Sequence, residues 1–278
     1  MSRLVLGTAQ WGNPYGVTNA LGRLSDSDIS EIVRVAHDRG ISEVDTARGY
    51  GDSETRLRPF ASDFAVTTKI SGSDEAVTQI ESSLTELGIS KLDSVLVHDW
   101  ELLDAGSRVA VVRGLGQARD AGLVERVGVS IYGQEGIQSA REVFAAGDVE
   151  LGALQVPANP IDRRLDGSSL LMDLRAAGAH ITVRSAFLQG VLLADSGKWT
   201  DHEDVLSFRS WVDDAGVSPL GVCLGHVRAL PWATHVVVGV TSAQELTEVC
   251  DAWDSCEVGL LPKSLASNDL ELIDPRRW

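Results

Sequence analysis

The sequence predicts a (β/α)8 TIM barrel of the α/β class, and three observations carry that expectation. Eight short apolar, β-branched runs recur along the chain, and helical periodicity fills the stretches between and after them. The runs are mostly apolar rather than strictly alternating, as strands must be when helices cover them outside and side chains pack within. The length of 278 residues suits one such barrel, and no Gly/Ser linker, charge block or low-complexity run divides it. A single barrel domain over 1–278 is the expectation.

Each element follows in order. RLVLGT (3–8) opens as a strand, and GTAQWGNPYG after it lacks the GxGxxG of a doubly wound dinucleotide fold. In SDSDISEIVRVAHDRG (25–40), Ile29, Ile32, Val33 and Ala36 share one helical face; Ser25 or Ser27 caps it and Gly40 ends it. SEVDT (42–46) and FAVTTK (64–69) are the second and third strands. SDEAVTQIESSLTELG (73–88) carries Ala76, Ile80, Leu84 and Leu87 on one face, with Gly88 closing it. DSVLVH (93–98), RVGVS (126–130), LGALQV (151–156), HITVRS (180–185) and THVVVG (234–239) complete the strands. Helical faces run through 105–121, 134–146, 168–178, 202–214, 217–229 and 242–253. The GLG at 114–116 falls inside one of them and carries no phosphate-loop meaning.

Net charge is −16, which argues against nucleic acid and anionic membrane as partners, since both need basic surface. The three cysteines, Cys223, Cys250 and Cys256, form no CxxC, and the N-terminus shows no basic-then-apolar signal pattern. A reducing, cytoplasmic setting is the expectation. Cys223 and His226 read as two residues on one helix face rather than half a metal site, and no metal is implied. Oligomeric state is not legible.

In a barrel of this kind the site forms at the C-terminal ends of the strands. An acid, a lysine and a histidine finish the second, third and fourth: Asp45, Lys69 and His98. Each alone has a plain structural reading, such as a helix cap or a solvated strand end. Together at successive strand ends they suggest chemistry. Tyr50, one of only three tyrosines, stands between Gly49 and Gly51 in the loop after the second strand. A free phenol titrates near pH ~10, too high for easy proton exchange at neutrality, and a nearby ammonium lowers it. Lys69 is placed to be that ammonium and Asp45 to keep it charged. Tyr50 then serves as general acid, and His98 adds a hydrogen bond to the substrate oxygen.

Asp45, Tyr50, Lys69 and His98, in this order, resemble the catalytic tetrad of the aldo-keto reductases. The resemblance runs through LGTAQWG, GISEVDTARGYGDSE, TTK, VHD, GLVERVGVSIY, LQVPANPIDRR, VRSAFLQGVLL and VVVGVTSAQEL. The forms DTARGYG, VHDW and RSAFLQG are most similar to a bacterial subgroup of that family. It implies an NADP(H)-dependent oxidoreductase that reduces an aldehyde or ketone to an alcohol, with NAD(H) also accepted. Asp45 and Tyr50 then border the nicotinamide. Ser130 and Gln155 match the pair that binds its carboxamide, and Gly7 and Thr8 the turn near its ribose. Ser185, Phe187, Leu188, Gln189 and Gly190 match the loop along the diphosphate. Gly239, Thr241, Ser242 and Glu248 match the adenosine end.

There are departures. Ile131 follows the carboxamide serine where the family has Asn, Arg184 replaces the stacking aromatic, and Val249 replaces an adenine-binding Asn. Thr241 stands where an Arg or Lys commonly holds the 2′-phosphate of NADP, so discrimination against NAD(H) is expected to be weak. Trp11, Tyr15 and Trp100 are expected as pocket walls, the alternative for the tryptophans being packing between loops. Arg48, Asn159 and Arg163 are expected as polar contacts to a small carbonyl or alcohol substrate, with an internal ion pair the alternative for Arg163. Two other functions fit the barrel: a redox-sensing or regulatory nicotinamide-binding protein, as the related potassium-channel β-subunits suggest, and a lyase or isomerase using Lys69 as a Schiff base.

Overall fold

The computed structural model describes residues 2–17, 19, 22–72, 75–256 and 261–278. Eight strands close into a parallel barrel in chain order: β1 (Arg3–Gly7), β2 (Glu43–Asp45), β3 (Ala65–Ile70), β4 (Leu92–Val97), β5 (Val124–Ser130), β6 (Ala153–Pro157), β7 (His180–Arg184) and β8 (His235–Gly239). β8 returns to pair with β1, aligning Gly239 with Gly7. The eight apolar runs of the sequence are these strands, displaced by at most two residues at either end.

Eleven α-helices occur among the described residues. The longer ones are α2 (Asp26–Asp38), α4 (Ala76–Leu87), α5 (Ala105–Asp120), α6 (Gln134–Ala146), α7 (Ser169–Ala176), α8 (Glu203–Ala215), α9 (Pro219–Ala229) and α10 (Ala243–Ser255). Two others are single turns near the site, α1 (Ala9–Gly12) and α3 (Ser53–Leu57); α11 (Leu270–Ile273) is near the C-terminus. Local chemistry accounts for their ends. Ser25 caps α2 and exchanges bonds with Asp28 in a full capping box. Gly88 ends α4 in the left-handed conformation, at φ 70°. Ser73 and Asp74, at the head of the helical stretch expected over 73–88, lie outside the described residues.

The main core joins the strands to the inner faces of the helices, with Leu6, Val44, Val95, Val156 and Val238 among its fully buried members. A second cluster sits to one side. It packs Leu188, Val191 and Leu192, after β7, against Val205 and Phe208 of α8 and Leu272 and Ile273 of α11. That cluster anchors the β7 loop from beneath. No helix among the described residues is long and apolar enough to cross a membrane.

Candidate active site

The site is built on three neighbouring strand ends. Barrel register sets Gly7 beside Asp45, and Asp45 beside Thr67. Lys69, two residues beyond Thr67, therefore reaches back across the mouth toward the end of β2. Its ammonium lies 2.5 Å from Asp45 Oδ1, 3.0 Å from the Thr46 carbonyl and 3.2 Å from the Tyr50 hydroxyl oxygen. Three acceptors meet three N–H donors, so a side chain with no exposure is fully satisfied. Asp45 is held on its other oxygen by Gln155 Nε2 of β6 at 2.8 Å. Neither plain structural reading holds: Asp45 caps no helix, and Lys69 is not solvated.

Burial alone pushes the Lys69 ammonium down. The Asp45 carboxylate, with the Tyr50 oxygen next, more than offsets it, so Lys69 is held above the ordinary lysine range. Tyr15 also borders the cavity, but loss of hydration, with Tyr50 adding to it, pushes its phenol up to about 12.

The Tyr50 loop is pressed onto α1. A Cβ built on Gly12 would stand 1.7 Å from the Tyr50 carbonyl oxygen, and Gly51 takes φ 62° at the same contact. Only glycine fits at Gly12, and the left-handed turn at Gly51 strongly favours it. Ser53, two residues on, donates to the Thr8 carbonyl at 3.0 Å and to its hydroxyl at 2.8 Å, binding α3 to the end of β1. Glu54 beside it is buried and accepts from Thr68 at 2.6 Å and Ser83 at 3.2 Å. Burial raises its carboxyl, the hydroxyls and Arg48 acting against that.

His98 follows β4 and turns its ring edge-on to Tyr50, centroids 5.9 Å apart. His98 is exposed as a residue, yet its pKa is brought down to about 4. Lost hydration is the largest cause and the charges of Lys69 and Arg184 add to it.

From Tyr50 a cavity of about 610 Å³ extends along the mouth. Gly7, Thr8, Asp45, Gln155, Arg184, Ser185, Phe187, Gln189, Gly190, Gly239, Thr241 and Glu248 line it, and Val249 borders the far end. Ser130 does not: it is buried at the end of β5, paired in register with Gln155. Leu188 turns its side chain into the second core, and Ser242 caps α10 by accepting from the Glu245 amide. The loop after β7 carries three non-glycine residues at positive φ: Ser185 (60°), Leu188 (48°) and Gln189 (53°). Such conformations persist where surroundings over-determine them, and Asn159 supplies part of that support by donating to the Ser185 carbonyl at 3.0 Å.

Five expected substrate contacts lie elsewhere. Trp11 and Trp100 are fully buried and do not border the cavity; as large apolar side chains they pack in the main core. Arg48 is drawn away to the carboxylates of Glu54 and Glu86, at 3.8 and 3.6 Å. Asn159 is buried, its oxygen taking the Ile161 and Asp162 amides at 3.1 and 2.8 Å. Arg163 takes its alternative, an ion pair with Asp166 at 2.6 Å.

Sequence reasoning missed the partners of two expected residues, Arg184 and Thr241. Arg184 stacks on Tyr132 at 3.9 Å, and Arg276 stacks on the same ring at 3.7 Å. Arg276 is held in turn by Asp274 and Glu101. At the far end of the cavity, the Glu245 carboxylate accepts from the Thr241 amide at 2.6 Å and its hydroxyl at 2.8 Å. The sequence signal for Glu245 was present as the S-x-x-E of a capping box, Ser242 to Glu245.

With this geometry in view, the family model described as "Aldo/keto reductase family" matches residues 3–260. The chain belongs to the aldo/keto reductase family. Its curated relatives include an aldo-keto reductase of Mycobacterium marinum, 31% identical over 145 residues, covering 47% of this chain and 51% of that protein. A protein of Corynebacterium sp. named 2,5-diketo-D-gluconic acid reductase B is 36% identical over 117 residues, covering 38% of this chain and 42% of that protein. The chain thus spans about half the length of the curated relatives it matches. Among solved structures, an aldo-keto reductase of Pseudomonas aeruginosa superimposes with a TM-score of 0.69 at 23% identity, covering 91% of this chain and 89% of that one. That likeness concerns the barrel; within the family, this chain's own side chains must specify its chemistry.

Proposed function

We propose that this protein reduces an aldehyde or ketone to an alcohol, taking hydride from a nicotinamide dinucleotide, with Tyr50 as the general acid. The observation that carries the reading is the Lys69 ammonium, held between Asp45 Oδ1 and the Tyr50 oxygen at the head of the cavity. The cavity's size suits a ligand of this class. Its lining suits one too, with a strained backbone loop on one wall and the start of α10 at the far end. Thr8 and Gln155 would hold the nicotinamide end, Ser185 to Gly190 the diphosphate, and Gly239 to Glu248 the adenosine.

The bound dinucleotide supplies the hydride. The rest falls to side chains. Tyr50 Oη gives its proton to the carbonyl oxygen as charge develops there. Lys69, 3.2 Å away, stabilises the negative charge left on the phenol oxygen. Asp45, fixed on both oxygens, keeps the ammonium in place. His98, kept neutral by lost hydration and then by the charges of Lys69 and Arg184, can donate a hydrogen bond to the same carbonyl without adding charge. A Schiff-base role for Lys69 needs a neutral amine, and Asp45 works against that.

With Arg48 and Arg163 committed to internal carboxylates, Arg184 is the lysine or arginine among the described residues that borders the cavity. Two of its five N–H donors are engaged, by the Ser185 hydroxyl and the Ile131 carbonyl, and the others can meet a carboxylate or polyhydroxylated substrate; the relative named for a keto sugar acid supports testing that class. The three cysteines are unpaired, consistent with a reducing cytoplasmic setting. The deciding experiment is nicotinamide oxidation with a panel of aldehydes, ketones and keto sugar acids, using wild type and Tyr50→Phe. Consumption that depends on carbonyl and on Tyr50 supports the reading. Tight dinucleotide binding with no turnover of any carbonyl would favour a regulatory nicotinamide-binding protein instead.

A further inference from the structure

Glu245 lines the far end of the cavity together with Glu248, next to Thr241. Both donors of Thr241, its amide and its hydroxyl, are already bound to the Glu245 carboxylate at 2.6 and 2.8 Å. The Gln244 side chain likewise donates its Nε2 to the Glu248 carboxylate, at 2.9 Å. The start of α10 would ordinarily attract an anion through its free N–H groups and dipole. Here the protein brings its own anion there.

Cations that might offset this are placed elsewhere. Arg184 stacks on Tyr132 and donates to the Ile131 carbonyl at 3.3 Å. Arg228 donates to the Trp253 carbonyl and Arg39 pairs with Asp251 at 2.7 Å. A phosphate arriving beside Thr241 would therefore meet an acceptor-only carboxylate. A ribose with both hydroxyls free has two donors to give that carboxylate.

We propose that Glu245 selects the dinucleotide: it accepts from the free adenosine ribose hydroxyls of NAD(H) and repels the 2′-phosphate of NADP(H). This rests on the reading of the cavity as a nicotinamide dinucleotide site, and it reverses the NADP(H) preference that the family resemblance implies. A carboxylate reaching past Ser242 to the Thr241 amide also has an ordinary use, as a helix cap. Charge separates the two roles. Glu245→Gln keeps an acceptor oxygen for the Thr241 amide and removes the repulsion.

The test is the dissociation constant of NADH and of NADPH, measured by calorimetry and by quenching of tryptophan fluorescence, for wild type and Glu245→Gln, with the melting temperature of each. Wild type should bind NADH at least about tenfold more tightly than NADPH, a gap of about 1.4 kcal/mol. Glu245→Gln should tighten NADPH by about tenfold, loosen NADH by a few fold, and show a lower sensitivity of NADPH binding to salt. Equal or tighter NADPH binding by wild type would overturn the proposal. So would a variant in which both affinities move together with the melting temperature, the result of a cap alone. Binding of neither dinucleotide would overturn the cavity assignment itself, a different outcome from binding with the opposite preference.

Discussion

The Gly12 backbone supports the Tyr50 carbonyl so closely that a methyl group cannot be placed between them; a Cβ on Gly12 would stand 1.7 Å from that oxygen. The height of the Tyr50 loop above the barrel is thus fixed by a residue with no side chain. Gly12→Ala must lift the loop and draw the phenol away from Lys69. Overpacking of this kind costs about 1–3 kcal/mol, and activity should fall further than stability. Melting curves beside kcat for carbonyl reduction would check this; a variant with wild-type kcat would show that the contact does not position Tyr50.

Tyr50→Phe should lose about 10²–10⁴-fold in carbonyl reduction, the usual cost of removing a general acid, while dinucleotide affinity stays within a few fold. Full turnover in this variant would reject Tyr50 as the proton donor. Tyr15 is a poor substitute, since its phenol is pushed up to about 12.

Lys69→Met removes the charge next to Tyr50 and strands the buried Asp45 carboxylate, with Gln155 as its remaining partner. Losing one partner of a buried pair typically costs about 3–5 kcal/mol. Asp45→Asn should reduce turnover less, because the ammonium keeps the Thr46 carbonyl and the Tyr50 oxygen. Combining the two should recover part of the stability and none of the activity. Inactive Asp45→Asn beside normal Lys69→Met would reverse the assigned roles.

His98 gives a prediction in pH. Its folded-state pKa of about 4 lies below the ordinary 6.5. As pH falls through that interval the unfolded chain takes up a proton that the folded chain refuses, so His98 subtracts stability on the acid side and contributes none of this effect above it. The residue's exposure makes the size small. For catalysis the sign is simple: His98 stays neutral through about pH 5–8, and kcat/KM should show no acid limb near the histidine value. A limb there that vanishes in His98→Gln would contradict the neutral role.

What the sequence made legible follows the range of each interaction. The barrel was readable because each strand is a contiguous apolar run. Asp45, Tyr50 and Lys69 were readable because strand ends and glycines mark their positions locally. Trp11 and Trp100 were misplaced because indole suits a pocket wall and a core equally, and only packing decides. Arg48 looked free because Glu86, one of its partners, lies on α4, well beyond the local motif. The single-turn helices α1 and α3 are too short to show periodicity. The stack of Arg184, Tyr132 and Arg276 joins three distant segments, and nothing local announces it.

The bond from Gln155 to Asp45 joins residues 110 apart in the chain. Asp45, Tyr50, Lys69 and His98 all lie in the first four strand–loop units, so a half-length chain would possess every one of them. It would still lack the clamp from β6 and the strand that pairs with β1. During folding, closing such long loops comes late because its entropy must be met before the contact is formed. Return of carbonyl reduction after denaturation should therefore lag behind return of helix signal, and its rate should report closure of the ring rather than formation of its parts.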